Sequence, residues 1–254
     1  MSRRPPKTGH RPGKSLASSR PRFWGRHPVL AALANPERRI RKIWATPDSV
    51  GLLGKPDPSI PLLIADAADL ARLVPSDAPH QGLVAEVDPL EDIWLGDLLA
   101  QGADGDRPII VLDQVTDPHN VGAVLRSAAA FDALGIVTQD RHAPPESGAL
   151  ARSASGTLET VPWVRVVNLA RALEEMAEAG YWRIGLTGAG TVTLAEALGT
   201  RKVALVLGSE GEGMRHNVEA HCDQLARLPI SDKVESLNVS NAAAIALYAV
   251  AAGR

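Results

Sequence analysis

The chain of 254 residues is 45% hydrophobic, enough for a real core, and its length favours two unequal domains over one. No run of about 18 apolar residues is present, which argues against a transmembrane helix, and no Cys/His set has the spacing of a structural zinc site. The single cysteine, Cys222, cannot form an internal disulfide and suits a reducing cytoplasm, while the net charge of −2 hides a strongly basic start.

Before Trp24 the sequence holds Arg3, Arg4, Lys7, Arg11, Lys14, Arg20 and Arg22 with no Asp or Glu, and it lacks an apolar secretory segment. So polar a stretch cannot bury enough surface to fold alone, and residues 1–22 are predicted to form a disordered basic arm. Its charge reads either as a plain solvated tail or as nonspecific attraction for nucleic-acid phosphates. Order is expected from Phe23. The patterning predicts a helix starting over 28–33, strands over 41–46, 62–65 and 83–87, and a short helix over 69–73. Together these make a compact α/β unit over residues 23–88. Residues 89–106 hold one helical pattern and then the Gly- and Asp-rich QGADGDRP, and they read as the linker.

A second domain over residues 107–254 alternates strands with helices. Strands are expected at 109–112, 136–137, 164–167, 182–186 and 203–207, with another ending near Pro229. Helices are expected near 147–155, from Asn168 through Ala179, from about Met214, and at the C-terminal end. Repeated β-α units imply an α/β fold, a mostly parallel sheet with helices on both faces and a ligand site at the carboxyl ends of its strands.

Three segments of this domain carry chemistry. In the first, Asp117 can cap a helix whose first residue is Pro118, with Asn120 in the first turn and Val121, Val124, Leu125 and Ala128 on the buried face. Arg126 shares a stripe with Gly122 and Ala130, small neighbours that would let another backbone or an RNA approach the guanidinium. Spacing alone leaves a second reading open, in which Asn120 merely supports the cap and Arg126 is a surface charge. The second segment, Gly208-Ser209-Glu210-Gly211-Glu212-Gly213, follows the apolar VALVL. Its spacing differs from the dinucleotide fingerprint, and its two carboxylates would repel a pyrophosphate. A cationic nucleoside without phosphates suits it better; a plain tight turn is the alternative. In the third, Ser236 fits the N-cap of an alanine-rich final helix, with Asn238 and Asn241 three apart on one face.

In this order and at these separations the three segments resemble the motifs of the SpoU/TrmH family of RNA ribose 2′-O-methyltransferases, over about Pro108 to Ala251. The first domain resembles the ribosomal-protein-like substrate-binding domain of the 23S rRNA guanosine 2′-O-methyltransferases, through the run from Trp24 to Leu33 and that from His80 to Ala85. The stretch from Gly156 to Pro162 likewise resembles a family segment ending in Glu-x-Val-Pro. The resemblance implies a trefoil knot in the sheet, a homodimer with sites near the subunit interface, S-adenosylmethionine as cofactor without a metal, and RNA as substrate in the cytoplasm. It maps the active-site residues onto Asn120, Arg126, Glu210, Ser236 and Asn238, and the cofactor contacts onto Thr187, Gly188, Gly208, Leu228 and Leu237. Asn241 departs from the pattern, standing where a small apolar residue is expected. Methylation of tRNA, or a nonenzymatic role in ribosome assembly, are the alternatives to rRNA methylation. The extra first domain favours rRNA.

Overall fold

The computed structural model describes residues 20–199 and 202–253. Most of the basic arm lies outside the described residues, but its last part does not. Strand β1 (Arg22–Trp24) starts inside it, and Arg20 pairs with Asp88 at 2.8 Å. After β1 come α1 (Arg26–Ala34), β2 (Ile40–Ala45), α2 (Pro47–Val50) with a 3₁₀ turn at Gly51–Leu53, β3 (Leu62–Ile64), α3 (Ala67–Ala71) and β4 (Leu83–Val87). These strands form a four-stranded sheet in the order β1-β4-β2-β3, antiparallel except for the β2–β3 pair.

Helix α4 (Leu95–Gln101) occupies the middle of the stretch read as a linker. It is packed structure: Leu95 and Leu98 are buried with Ile109, Val111 and Leu134. The larger unit continues with β5 (Ile109–Leu112), α5 (Pro118–Ala130), β6 (Gly135–Gln139), α6 (Gly148–Ala154) and a 3₁₀ turn at Thr157–Glu159. Then come β7 (Trp163–Val166), α7 (Leu169–Glu178), β8 (Trp182–Leu186), β9 (Val192–Thr193), α8 (Leu194–Ala197), β10 (Val203–Leu207), α9 (His216–Glu219), β11 (Gln224–Arg227) and α10 (Val239–Ala252). The seven strands run parallel in the order β7-β6-β5-β10-β8-β11-β9. The central strands β5 and β10 are buried at every position, which is why both read as unbroken apolar runs.

The two sheets share one core. A single apolar cluster runs from Phe23, Val29 and Ile43 of the small unit to Val121, Leu125 and Leu150 of the large one. At the seam lies a buried ion cluster. The Arg38 guanidinium donates to Glu159 Oε1 and Oε2 at 3.1 and 3.0 Å, to Glu146 Oε2 at 2.6 Å and to the Asp88 carbonyl at 2.8 Å. Side-chain exposure is 0% for Arg38, 4% for Glu146 and 3% for Glu159. Asn35 Nδ2 also donates to Glu159 Oε2 at 2.8 Å, and the Leu90 N–H donates to Glu146 Oε1 at 3.0 Å. One cation thus holds two carboxylates that bracket α6. Removing it leaves both carboxylates buried without a counter-charge. Arg38→Met is expected to cost about 3–5 kcal/mol in denaturant unfolding. Adding Glu146→Gln and Glu159→Gln to that variant should return part of the loss.

Candidate functional site

The carboxyl ends of β5 and β10 lie side by side, with Leu112 opposite Leu207. Beyond β5, the Asp117 side chain accepts the His119 N–H at 2.9 Å and caps α5, so Asn120 falls in the first turn. Beyond β10, the glycine-rich loop closes on itself through Ser209 N to Gly213 O at 3.1 Å and Gly213 N to Ser209 O at 3.0 Å. Gly211 at φ 87° makes that reversal possible and leaves Glu210 at the tip.

Three side chains meet there. Glu210 Oε1 accepts from Asn120 Nδ2 at 3.2 Å, from Asn238 Nδ2 at 2.5 Å and from the Val239 N–H at 3.4 Å. Asn238 Nδ2 also donates to Asn120 Oδ1 at 3.0 Å. Among the described residues the second Glu210 oxygen accepts no hydrogen bond, so half of the carboxylate is left for a ligand.

The loop is anchored by a pair that the sequence reading did not single out. Asp113, fully buried, accepts from the Arg215 N–H at 2.8 Å and from its guanidinium at 2.6 and 2.9 Å, while Arg215 Nη2 also donates to Gln139 at 2.6 Å. A carboxylate directly after a fully buried strand was the available signal, because it must find a cation or pay for desolvation. Arg215 caps α9, which is only His216–Glu219, shorter than expected for a helix from Met214.

One expectation is corrected and another is narrowed. Ser236 is not the cap of the final helix. Val239 is the first helical residue and is buried, so the residue before it must satisfy the free N–H groups; Asn238 Oδ1 does this for Ser240 N at 3.0 Å. Of the two approaches expected beside Arg126, another backbone or an RNA, Gly122 serves the first. A Cβ there would lie 2.5 Å from the Leu150 carbonyl and 2.9 Å from the Ala154 nitrogen, so the glycine admits the backbone of α6. Arg126 itself is exposed on α5 and, among the described residues, has no hydrogen-bond or ion-pair partner.

Against this cluster opens a cavity of about 460 Å³, within the usual range for small-molecule sites. Thr187, Gly188, Gly208, Leu228 and Leu237 all line it, as do Glu210 and Ser236; Asn120, Arg126 and Asn238 do not. Its apolar wall comes from Leu186, Leu207, Val239 and Ala242 together with those two leucines. Glu210, Asp232 and Glu235 face one guanidinium, Arg227, which is already engaged with the Gly190 and Thr191 carbonyls at 3.0 Å each. Apolar walls, backbone groups and a surplus of negative charge fit a cationic nucleoside such as S-adenosylmethionine. Among the described residues no group of three or more His, Cys, Asp or Glu side chains is placed to hold a metal ion.

The sequence matches two family descriptions: "SpoU rRNA Methylase family" over residues 107–248 and "RNA 2′-O ribose methyltransferase substrate binding" over residues 23–93. It is 35% identical over 240 residues to a 23S rRNA (guanosine-2′-O-)-methyltransferase of Pseudomonas syringae pv. tomato, covering 89% of this chain and 93% of that one. It is 38% identical over 236 residues to an uncharacterized tRNA/rRNA methyltransferase of Synechocystis, covering 90% of this chain and 61% of that protein's length. In structure it is similar to the SpoU methyltransferase AviRb from Streptomyces viridochromogenes in complex with AdoMet. The TM-score is 0.78 at 23% identity, over 92% of this chain and 89% of that one.

The double role of Asn238 can be separated by substitution. Asn238→Ala loses the cap and should cost about 1 kcal/mol of stability in thermal or denaturant unfolding. Asn238→Ser keeps a cap oxygen and should unfold close to the parent, while still losing the amide donor to Glu210 and Asn120. Equal destabilisation by both would show that the cap is not what Asn238 contributes.

Proposed function

We propose, from the premise that the chain belongs to the SpoU rRNA methylase family, that it methylates a ribose 2′-hydroxyl of RNA with S-adenosylmethionine as donor. The observation that carries the reading is the meeting of Asn120, Glu210 and Asn238 at the rim of the cavity. We assign RNA binding to residues 23–88 and methyl transfer to residues 107–254, in keeping with the two family matches. A guanosine of 23S rRNA is the proposed target, as in the relative from Pseudomonas.

When bound, S-adenosylmethionine supplies an electrophilic methyl group on a sulfonium. The chain's own residues have three tasks. The leucines of the cavity, with Val239 and Ala242, exclude water from the nucleoside and its methyl group. Glu210, held on one oxygen by two amides, turns its other oxygen to a positively charged ligand. Asn120 fixes that carboxylate and stands at the first turn of the helix that carries Arg126.

In the resembled family an arginine is held to remove the proton of the 2′-hydroxyl. A guanidinium remains cationic in proteins, so the physical role assigned to Arg126 is different. Having no carboxylate partner among the described residues, it is free to clamp a phosphate next to the reacting ribose. There it stabilises the alkoxide as it forms, and the proton leaves to a phosphate oxygen or water.

The homodimer and the knot belong to the same proposal. Ile245 and Tyr248 of α10 are 45% and 61% exposed, and Tyr248 meets Phe131 edge-on at 6.0 Å, an apolar face that a second copy would cover. Thr187, just past β8, donates its N–H to the Ala226 carbonyl of β11 at 2.9 Å, and the Arg227 guanidinium donates to the Gly190 and Thr191 carbonyls at 3.0 Å each, so the segment after β8 lies against β11, where the knot is proposed. A substrate of ribosomal RNA puts the activity in the cytoplasm.

The test is single-turnover methylation of 23S rRNA and tRNA transcripts with labelled cofactor in the presence of a chelator, followed by mapping of the 2′-O-methyl position. Product at a 23S guanosine supports the reading. Product on tRNA alone overturns the substrate, and a need for metal overturns the cofactor assignment. Arg126→Lys and Arg126→Ala should both bind cofactor normally and slow the single-turnover rate by about 10²-fold or more at saturating RNA, roughly 3 kcal/mol of transition-state stabilisation. Near-parental rates at saturating RNA would make Arg126 a binding residue only.

A further inference from the structure

Most described arginines face a carboxylate; Arg26 and Arg152 do not, and both sit at the seam between the two sheets. Arg152 lies on α6 of the large unit, and Arg26 opens α1 of the small one. They are joined through Gln81, in the turn before β4. Its side-chain oxygen accepts from the Arg26 N–H at 3.1 Å and from Arg152 Nη1 at 3.1 Å. Gln81 holds φ 53°, a left-handed conformation that a side chain rarely adopts without a reason.

The seat for Arg152 is made on the other side as well. Gly25 has φ 89°, and a Cβ placed on it would lie 2.7 Å from Arg152 Nη1. Gly25 thus leaves room for the guanidinium and Gln81 accepts its hydrogen bond against the small unit. One neutral oxygen satisfies only one of its five N–H donors, and no acidic group answers its charge among the described residues. Glu146 and Glu159, on Arg38, flank α6 on both sides, which fixes the point from which Arg152 projects.

The line continues toward the reaction site. Ser153, next to Arg152, has its hydroxyl 3.0 Å from Nδ1 of His119, and His119 precedes Asn120. Arg26, His27 and His119 are exposed. Helix α6 thus packs against both α1, which Arg26 opens, and α5, whose first turn holds His119 and Asn120.

We propose that Arg152 and Arg26 form a phosphate bridge across the seam, over which the backbone of the RNA passes from the small unit to Asn120, with Gln81 as the residue that positions Arg152. The inference rests on the reading of RNA as substrate. It assigns to the seam, and not to the small unit alone, the grip that brings the target ribose to the cavity.

The test is equilibrium binding of a structured 23S rRNA transcript to the full chain over a series of salt concentrations, without methylation. The parent must bind RNA with a salt-dependent affinity; if it does not, the reading of RNA as substrate fails and not only this bridge. Arg152→Ala is expected to bind about tenfold more weakly at low salt, the lower end of what one charge-assisted hydrogen bond is worth. The slope of log K against log salt should fall by about one. Arg152→Lys should keep the slope, Gln81→Ala should weaken binding with the slope retained, and cofactor affinity should be unchanged in all three. Arg26→Ala, at an exposed side chain, gives the same reading should Arg152→Ala prove unstable. Parental RNA affinity and slope in folded Arg152→Ala, or in Arg26→Ala where the former does not fold, overturn the bridge.

Discussion

The arrangement of this molecule depends on one buried cation. Arg38 comes from the turn between α1 and β2, yet its partners are 108 and 121 residues away in the large unit. Without it, the small sheet and the helix α6 would be held together by apolar packing, which tolerates sliding, and by the neutral hydrogen-bond partners that Arg152 and Glu159 find across the seam. A guanidinium with fixed donor directions does not. The cluster carries two carboxylates for one cation, so it is an unfavourable way to gain stability compared with hydrophobic residues of the same size. What it gives instead is a single relative orientation of the two sheets.

The same logic recurs at the carboxyl edge of the large sheet. β5 and β10 are neighbours, so residues 90 apart in sequence, Asn120 and Glu210, come within hydrogen-bond distance. Asp113 and Arg215 hold the loop that presents Glu210, and Asn238 joins the start of α10 to it. Each contact is polar, and each lies where a parallel sheet leaves strand ends that need partners. The same side chains that tie the strand ends together line or adjoin the cavity.

Much of the frame was legible in the sequence because it obeys local rules. IIVL and VALVL announce strands covered on both faces, and Asp117-Pro118 announces the start of α5. Elements decided by distant partners were not legible. β1 has three residues and lies in a basic stretch, and it exists because Phe23 and Trp24 pair with Ala85 and Val84 of β4. The helix in the expected linker was visible as a pattern, but its burial against Ile109 was not. At the site, spacing drew attention to Asn120, Glu210 and Asn238, while the family resemblance supplied their joint role. The cap of α10 was misplaced by two residues because a serine and an asparagine are equally good caps; only the burial of Val239 decides between them. The seating of Arg152 by Gln81 depends on a turn conformation that no residue pattern announces.

Cys222 has a use that follows from its surroundings. Its sulfur packs toward Gly185 of β8 and lies 3.6 Å from the Val218 carbonyl, and burial pushes the thiol up to about 12. At neutral pH almost none of it is thiolate, the form that reacts with alkylating reagents and oxidants. Cys222 is therefore a less reactive thiol than an ordinary surface cysteine. A cysteine introduced at an exposed position of either unit would ionise more readily, so a spectroscopic label would favour the introduced sulfur over the native one.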